Sequence, residues 1–587
     1  MTRRLRDALI LGAVGGVLLF AGLGRADLFN PDEPRESEMA REMLVTGDHV
    51  VPRLDGEPFL EKPPLFYWLV TGAYRAAGGP SEAAARVVPA IAGFLCLFVT
   101  CAMARRLFGD GTALPAALVL LTGFESFWLA RRTLIDMPMT LAILVACDAL
   151  HRVVTAERRA PRGWLAAATA ALAGALLFKG VIGAAIPGLA VAGWLLWRLD
   201  LRPIRRRGLL LAGVLSIVPV GLWVRALHAR LGDAAVHEFV VVNNVQRFTG
   251  GAAKGHDNPF WYYLPAIVVD FFPWSILLPF AIGAAARVAL RAAPWTPAAG
   301  EAEERERAGL RDLLVWFLLP LLVLSIASTK RGLYLLPIYP AAAMLVAWWL
   351  TRGRPGRVGR WAGVAAAVLP GMAATAALAG TGHGGPAAAM TIATAGVAAL
   401  AVRFVRRDEP SRLGFAIASV AAAWCLLAAT VVAPSVVNGG TSARAAGESL
   451  RRRADAGKGL AFYDFREGNL GGFCFYARGT WPNLKSPEAL ARHLDGEGDS
   501  AAKQETVAGE QGHGGSLALL KGEDVARVAA SLPFPIEEVE RWRYRSRPGQ
   551  ETTSDYVLIR RAAAPEGAPG DTSAPAGDPA AAPAAGG

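Results

Sequence analysis

Apolar runs long enough to cross a membrane recur along most of this 587-residue chain and limit what it can fold into. A spanning helix needs about 20 apolar residues, and such runs follow one another from Ala8 to Ala433. With 53% of its residues hydrophobic, the chain is too apolar for an ordinary soluble domain. The sequence therefore predicts an all-α polytopic membrane domain over residues 1–438 and not a single anchor.

The apolar runs predict about thirteen transmembrane helices. The first follows the basic tip Met1–Asp7, and we interpret it as an uncleaved helix and not as a signal peptide. The predicted spans are 8–24, 84–104, 112–130, 135–151, 163–178, 181–197, 208–227, 259–286, 311–328, 332–350, 361–380, 386–404 and 412–433.

Positive charge is concentrated in short loops between the apolar runs. A net charge of +12 is compatible with nucleic-acid binding, but the arginines cluster in the loops that follow the even-numbered spans, as in RLDLRPIRRR (198–207). Cytoplasmic loops of membrane proteins carry such an excess of Lys and Arg. The pattern argues against nucleic acid as a partner and predicts a cytoplasmic N-terminus. Because the number of spans is odd, it also predicts that the C-terminal region is periplasmic.

The composition changes after residue 438 from apolar to mixed and charged. Strand-like pieces, GLAFYDF, GGFCFYAR, SLALL and SDYVLIRR, alternate with the helix-like pieces SPEALARHL and EDVARVAASL. This alternation predicts a small α/β extramembrane domain over residues 439–562. The last stretch, 563–587, consists almost entirely of Ala, Pro, Gly, Asp and Ser, which predicts a disordered tail.

The loop after the first span, residues 25–80, is unusually rich in acids, bases and aromatic residues. Within it, Ser37–Val45 fits an amphipathic helix, and Pro63 and Pro64 begin a second, aromatic segment. Two helices lying in the interface plane would form a platform beside a substrate carried by a lipid. We therefore expect this first periplasmic loop to hold much of the chemistry.

The motifs of this loop resemble those of one family. PDEPRE (31–36), GDHVVPRLDG (47–56) and FLEKPP (59–64) are similar to the first periplasmic loop of the bacterial aminoarabinose (4-amino-4-deoxy-L-arabinose) transferases that modify lipid A. These enzymes belong to the protein O-mannosyltransferase-like (GT-C) superfamily. Later segments agree in order, namely RRTLIDMP (131–138), FKG (178–180), NNVQRF (243–248), GHDNPFWYYLP (255–265) and STKRGLYLLPIYP (328–340). The resemblance implies a GT-C type membrane fold and a glycosyltransferase that uses a polyprenyl-phosphate (undecaprenyl-phosphate) sugar donor.

Two carboxylates, Asp32 and Asp136, are the catalytic residues that the resemblance implies. Asp32 would act either as a general base for an acceptor hydroxyl or as an organiser of donor and acceptor. A lipid A phosphate is already an anion and needs no base, so both roles stay open. A helix cap is the alternative for Asp32, for Glu33, which follows it, and for Asp136.

Six cations on the predicted outer side run against the usual charge bias: Arg35, Lys62, Lys179, Arg247, Lys330 and Arg331. Transfer leaves negative charge on the departing phosphate, so the site must supply positive charge there. We interpret the first five as ligands of the donor phosphate and Tyr334 as a hydrogen-bond donor to the same group. The alternative is that each lysine or arginine is a flank that snorkels to the interface, and that Tyr334 is an ordinary interfacial tyrosine.

Glu61 and His256 are the pair for which the resemblance implies a divalent metal, zinc, with a substrate phosphate or a water completing the shell. The alternative is a His–Glu hydrogen bond that orders the loop. No organic cofactor is expected.

These features predict an integral inner-membrane transferase that moves a sugar from a polyprenyl-phosphate donor to lipid A. One alternative keeps the donor class but transfers to a protein or glycan hydroxyl, as mannosyltransferase-like relatives do. Another is a transporter or flippase of lipid-linked substrates, because many helices and intramembrane charge also mark transporters. Against a transporter, the sequence has no visible inverted repeat, and its polar residues concentrate in the outer loops.

Overall fold

The computed structural model describes residues 1–156, 162–206, 208–246, 258–290, 300–353, 355–380, 382, 384–465, 467–496, 516–544 and 554–562. The chain divides into two compact units. The first contains Met1–Arg453, Phe465–Pro482 and Arg543–Ser554, and the second contains Ala454–Asp464, Asn483–Trp542 and Asp555–Gly587. The predicted domain boundaries stay predictions, and the predicted tail 563–587 lies outside the described residues.

Helices form nearly all of the chain up to residue 455. In order they are α1 Arg3–Phe20, α2 Asp32–Thr46, α3 Leu65–Ala76, α4 Glu82–Phe108, α5 Asp110–Thr122, α6 Phe124–Ala130, α7 Asp136–Thr155, α8 Arg162–Lys179, α9 Val181–Arg198, α10 Arg202–Arg206, α11 Leu209–His237, α12 Tyr263–Asp270, α13 Leu278–Leu290, α14 Glu301–Ile326, α15 Tyr339–Thr351, α16 Arg357–Gly380, α17 Gly384–Arg406, α18 Pro410–Leu427, α19 Ala433–Gly440 and α20 Arg444–Asp455. Shorter π-helical segments cover Glu238–Gln246 and Ala428–Val432, and 3-10 segments cover Phe260–Tyr262, Trp274–Ile276 and Gly332–Ile338.

Nine helical segments of the described chain are long and apolar enough to cross a membrane, or ten if the bent pair α5 and α6 counts as one span. The nine are Glu82–Phe108, Asp136–Thr155, Val181–Arg198, Leu209–Asn244, Glu301–Ile326, Gly332–Thr351, Arg357–Gly380, Gly384–Arg406 and Pro410–Asn438. The remaining predicted spans, 8–24, 163–178 and 259–286, also overlap helices. The predicted polytopic, mostly helical fold is therefore confirmed, whereas the number thirteen stays a prediction.

Helix α2 begins at Asp32, five residues before the start that the amphipathic pattern predicts. Pro34 does not prevent this, because the first turn of a helix has no partner for the amide hydrogen that proline lacks. The acids Asp32 and Glu33 also suit the positive end of the helix dipole. The helix ends at Thr46, and the next residue, Gly47, has a φ of 69°, the left-handed cap conformation that glycine adopts without strain.

A short β-hairpin with two-residue strands follows α2 in the same loop. Its strands, β1 Arg53–Leu54 and β2 Glu57–Pro58, pair antiparallel around Asp55 and Gly56, which both have positive φ. Such a turn favours the Asp-Gly sequence found here. The carboxylate of Glu42 on α2 accepts hydrogen bonds from the amides of Asp55 and Gly56, which holds the hairpin against the helix.

The prediction of a strand at GGFCFYAR is wrong. This segment lies almost entirely in helix α21, Glu467–Ala477. Helix α21 packs against α2 within the first unit. The backbones meet at Gly471, where a Cβ atom would lie 2.6 Å from the Cα of Arg35. Aromatic residues favour strands locally, but this close helix crossing, which only glycine permits, outweighs that preference.

The second unit contains most of a five-stranded mixed sheet with the order β4-β3-β5-β7-β6. Strand β3 (Leu460–Tyr463) pairs parallel with β4 (Asn483–Leu484) and with β5 (Leu517–Lys521), and β5 pairs antiparallel with β7 (Ser554–Arg561). Helices α22 (Pro487–Leu494) and α23 (Val525–Ser531) lie in the predicted helix-like pieces. Three of the four predicted strands are therefore confirmed, while β6 (Ile536–Tyr544) had no predicted counterpart because its alternation of charged residues hides it.

Candidate functional site

The first outer loop and the ends of several membrane helices bring most of the predicted site residues together. Asp32 begins α2, Asp136 begins α7 and Lys179 ends α8. Glu61 and Lys62 lie between the hairpin and α3, and Tyr334 lies in the 3-10 segment Gly332–Ile338. These positions are far apart in the sequence, and the first unit contains them all.

Asp32 carries two cationic partners. Its Oδ1 atom accepts a hydrogen bond of 3.1 Å from Nη2 of Arg35, and its Oδ2 atom accepts one of 3.1 Å from Nη2 of Arg331. Burial works to raise the pKa of Asp32, but the guanidinium groups of Arg35 and Arg331 outweigh it and hold that pKa below its usual range. Asp32 is therefore an ionised carboxylate near neutral pH, and its side chain does not cap α2.

Glu36 lies one helical turn after Asp32 and links the cations of the loop. Its buried carboxylate accepts hydrogen bonds from Arg35 (3.1 Å), from the ammonium group of Lys62 and from the hydroxyl of Tyr67 (2.9 Å). Burial raises the pKa of Glu36, but Lys62 and Arg35 together hold it below its usual range. The sequence analysis missed this residue, although its spacing of four from Asp32 places both carboxylates on one helix face.

Asp136 is paired with Lys179, whose Nζ atom lies 2.5 Å from its Oδ1 atom. The same ammonium group lies 4.8 Å from the centre of the Tyr334 ring, within the range of a cation–π contact. Three predicted site residues thus form one cluster, contributed by α7, α8 and the segment before α15.

Lys330, one of the predicted phosphate ligands, has backbone partners in the structure, and two further predicted site residues are not described. The ammonium group of Lys330 donates to the backbone carbonyls of Asn258 (2.8 Å) and Ala327 (2.5 Å), so this buried lysine ties two segments together. Arg247 lies outside the described residues, as does His256 of the predicted metal pair. Their assignment therefore stays a prediction.

The predicted metal pair is incomplete among the residues that the structure describes. Within the described part of the chain, no three His, Cys, Asp or Glu side chains lie close enough to hold a metal ion. Glu61 is the one member of the predicted pair that the structure describes, and it lines the cavity described next.

A cavity of about 550 Å³ opens beside these groups. Its apolar walls come from α9, between Val181 and Leu189, and from the end of α14, at Val323 and Leu324. Its polar lining contains predicted site residues and three further side chains: Glu61, Lys62, Lys179, Tyr334, Asn243, Asn244 and Thr329. The lining of the cavity therefore combines apolar side chains with two ammonium groups, those of Lys62 and Lys179.

Asn243 and Asn244 are lining residues that the sequence analysis quoted only as part of a motif. The Oδ1 atom of Asn244 accepts a hydrogen bond of 3.2 Å from the amide of Val181, at the start of α9. A Cβ atom on Gly180 would lie 2.3 Å from that same oxygen, and Gly180 has a φ of 68°. The glycine that follows Lys179 thus lets α8 turn into α9 while Asn244 caps the turn.

The loop is anchored by a buried ion pair between Glu33 and Arg86 of α4. Nε and Nη2 of Arg86 each donate to one carboxylate oxygen of Glu33 at 2.9 Å. Arg86 also donates to the carbonyls of Leu23, Ala26 and Asp27, and Glu33 accepts from the amide of Thr133 at 2.7 Å. Glu33, for which a helix cap was the alternative, therefore belongs to a hydrogen-bond network that joins the start of α2 to α4 and to Thr133, just before α7.

Comparison with known proteins adds a family context. Residues 61–223 match the sequence pattern of the family described as dolichyl-phosphate-mannose-protein mannosyltransferase. An undecaprenyl phosphate-alpha-4-amino-4-deoxy-L-arabinose arabinosyl transferase of Erwinia tasmaniensis is 32% identical over 327 residues, which are 54% of this chain and 55% of that protein. A transferase of the same name from Pseudomonas fluorescens is 31% identical over 60% of this chain and 59% of its own length. The matched part thus spans less than two thirds of these relatives.

The fold extends the likeness over nearly the whole chain. The crystal structure of ArnT from Cupriavidus metallidurans bound to undecaprenyl phosphate matches with a TM-score of 0.73 at 20% identity, covering 94% of this chain and 97% of that one. The chain resembles the aminoarabinose transferases in sequence and shares their fold. The predicted GT-C type fold class is thereby confirmed, and with it a multi-pass membrane protein.

We expect Glu33→Gln to destabilise the protein, because it leaves the buried guanidinium group of Arg86 without its counter-charge. Breaking such a pair costs about 3–5 kcal/mol, so the melting temperature of the purified protein in detergent should fall clearly. Glu57→Gln, in the exposed hairpin, makes the same chemical change and should melt like the wild type. A Glu33→Gln protein with an unchanged melting temperature would contradict the anchoring role.

Proposed function

We propose that this chain is a glycosyltransferase of the inner membrane that moves 4-amino-4-deoxy-L-arabinose from a polyprenyl-phosphate donor to lipid A at the periplasmic face. One observation carries the proposal. The cavity between α9 and α14 is lined by apolar side chains together with Lys62 and Lys179, which pair with Glu36 of the first loop and Asp136 of α7. A lipid tail with a phosphate at its head is the ligand that fits such a cavity.

The donor fits the cavity in two parts. The apolar side chains of α9 and α14 would cover the prenyl chain, whose burial is favourable in proportion to area. Lys62, Lys179 and Tyr334 would bind the phosphate, with Arg247 as a further predicted ligand. The relatives from Erwinia tasmaniensis and Pseudomonas fluorescens are named for an undecaprenyl phosphate donor, which supports this assignment.

The reaction is a displacement at the anomeric carbon of the sugar. An acceptor oxygen forms a new bond to that carbon, and the bond to the donor phosphate oxygen breaks, so polyprenyl phosphate leaves with the electron pair. Lys62 and Lys179 would stabilise the negative charge that develops on the leaving group. A single displacement of this kind inverts the configuration at the anomeric carbon.

The electrostatics of Asp32 favour a phosphate acceptor over a hydroxyl. Since two arginines hold its pKa below the usual range, Asp32 is a weak base at neutral pH. A lipid A phosphate is already an anion and needs no proton removed. We therefore assign to Asp32 the positioning of Arg35 and Arg331 and of the amino sugar, with Asp136 holding Lys179 at the donor.

The second candidate is transfer to a protein or glycan hydroxyl from the same class of donor. The match of residues 61–223 to a protein mannosyltransferase family favours it. The two candidates differ in whether the acceptor must lose a proton, and this difference makes them separable by pH.

To test the donor site, undecaprenyl phosphate binding can be measured for Lys179→Gln by native mass spectrometry. A charge-assisted hydrogen bond is worth about 1.5–3 kcal/mol, so we expect roughly 10- to 100-fold weaker binding. Lys179→Arg should recover part of it. Lys485→Gln, an exposed lysine of the second unit, is the control. Equal affinity of Lys179→Gln and the control would exclude Lys179 from the donor site.

Asp32→Asn removes the charge but keeps the size of the side chain. If Asp32 positions its partners, turnover with lipid A should fall by about 10²-fold, by the same factor at every pH from neutral to alkaline. If Asp32 is a base for a hydroxyl, the deficit should shrink as rising pH ionises the acceptor. Asp233→Asn, whose side chain is 99% exposed, is the matched control. A shrinking deficit would favour the hydroxyl acceptor.

We also propose that Glu61 and His256 share a divalent metal, as the resemblance implies. The metal would supply positive charge near the donor phosphate. The purified protein should then hold about one equivalent of zinc, and His256→Ala should lose most of it. Equal metal content by mass spectrometry in wild type and variant would leave the hydrogen-bond alternative.

The orientation that this function requires places the N-terminus in the cytoplasm and the C-terminal domain in the periplasm. The arginine-rich loops at 198–207 and 352–360 support it, because such loops stay cytoplasmic. Alkaline phosphatase, which is active only in the periplasm, should be active when fused after Val432 and inactive when fused after Arg206. The reverse result would place every proposed site residue on the wrong side.

A further inference from the structure

A second polar cavity lies at the opposite ends of the helices that build the donor cavity. Helix α7 begins at Asp136, beside Lys179, and reaches His151 fifteen residues later, about 22 Å along the helix axis. There a cavity of about 350 Å³ is lined by Arg106 of α4, His151 of α7, and Arg305, Gly309 and Asp312 of α14. None of these residues belongs to the proposed transfer site, so the inference does not rest on that function.

The wall of this cavity is a network of ion pairs built from the ends of four helices. Arg106 donates to Asp148 (2.5 Å) and to Nδ1 of His151 (2.9 Å). Because arginine has no acceptor, Nδ1 of His151 must accept, and its Nε2–H then donates to Asp312 at 2.7 Å. His151 is thus neutral, and it fixes Arg106 and Asp312 in place.

The network holds more positive than negative charge. Asp148 is shared by Arg106 and Arg152, and Asp312 is shared by His151 and Arg198. Arg305 lines the same cavity and makes no ion pair or hydrogen bond with the described residues. Four arginines therefore accompany two aspartates, and two of these arginines, Arg106 and Arg305, line the cavity together with Asp312.

One donor of the network is also unused. The Nε–H group of Arg106 is buried and has no hydrogen-bond partner among the described residues. A buried donor left unsatisfied costs free energy, so this group and Arg305 together present directed hydrogen-bond donors to a ligand. Arginine groups arranged in this way suit the oxygens of a phosphate.

We propose that this cavity binds a phosphate group, carried by an anionic membrane phospholipid. The cavity lies where membrane-spanning helices end, which is the depth at which lipid headgroups sit. Basic pockets between helices are typical binding sites for such headgroups. Gly309, which lines the cavity, lets α14 pass close to Phe108 and Leu107 of α4. Free phosphate shares the chemistry, so the test distinguishes the two sources.

The test uses the full-length protein, purified in detergent and stripped of lipid. Binding of phosphatidylglycerol and of zwitterionic phosphatidylcholine is measured by native mass spectrometry. Wild type should bind phosphatidylglycerol more tightly than phosphatidylcholine. Arg305→Gln should weaken phosphatidylglycerol binding about fivefold, the effect of one arginine near an anionic lipid.

The control is Arg202→Gln, since Arg202 is 79% exposed, lies on the same predicted side and does not line the cavity. It should bind phosphatidylglycerol like the wild type, and Arg305→Lys should keep most of the binding. Equal binding by Arg305→Gln and Arg202→Gln would overturn the proposal. Because Arg305 loses no ion pair or hydrogen bond with the described residues, we expect no folding defect, and melting temperatures check this point.

A second arm adds inorganic phosphate as a competitor. If phosphate displaces phosphatidylglycerol from wild type, the site accepts the free ion as well, and the proposal stands with both sources. If it does not, the lipid alone is the ligand. If phosphatidylglycerol and phosphatidylcholine bind equally to wild type, the cavity does not select an anion and the proposal fails.

Discussion

The buried pair of Glu33 and Arg86 is the interaction on which the site depends. It joins the first turn of α2 to α4, and its further hydrogen bonds reach the chain before α2 and the turn before α7. Charges at this depth are costly unless every polar group is satisfied, and here the two side chains exchange paired hydrogen bonds with each other and with backbone. The cost of separating them keeps the polar loop in one position against the membrane helices.

The position of the loop in turn determines which charged side chains pair with one another. Asp32 and Glu36 lie on one face of α2 and gather Arg35, Lys62 and Arg331. A second cluster, with Asp136, Lys179 and Tyr334, comes from α7, α8 and the segment before α15. Lys62 and Lys179 line one cavity, so the two clusters meet there, where we propose that the donor phosphate binds. The carboxylates keep these cations in place before any ligand arrives, which is preorganisation.

Helix α2 owes its burial to contacts from both sides. Within the first unit α3 packs on it, with Tyr67 reaching Glu36 and Thr71 reaching the carbonyl of Ala40. Helix α21 packs on it as well, at Gly471. A loop rich in charge is therefore as firmly packed as a core helix, and its ionisable groups have fixed partners. That rigidity would suit the proposed transferase, because a displacement of a reacting group by one ångström can lower the reaction rate strongly.

The sequence by itself determined the membrane-spanning class of the chain, because runs of about 20 apolar residues have few other solutions. It also determined that most of the chain is helical. Its ordered motifs singled out five candidate site residues that the structure brings into two clusters: Asp32, Lys62, Asp136, Lys179 and Tyr334.

Only the tertiary structure decided which partner each of these charges takes. Glu33 and Glu36 are three residues apart in one helix, yet one binds Arg86 and the other binds Lys62. Lys330, a predicted phosphate ligand, donates to backbone carbonyls in this structure. The same holds for GGFCFYAR, whose local preference for a strand yields to packing on Arg35. Pairing of this kind depends on distances between residues that are remote in the sequence, and a local sequence pattern carries no information on those distances.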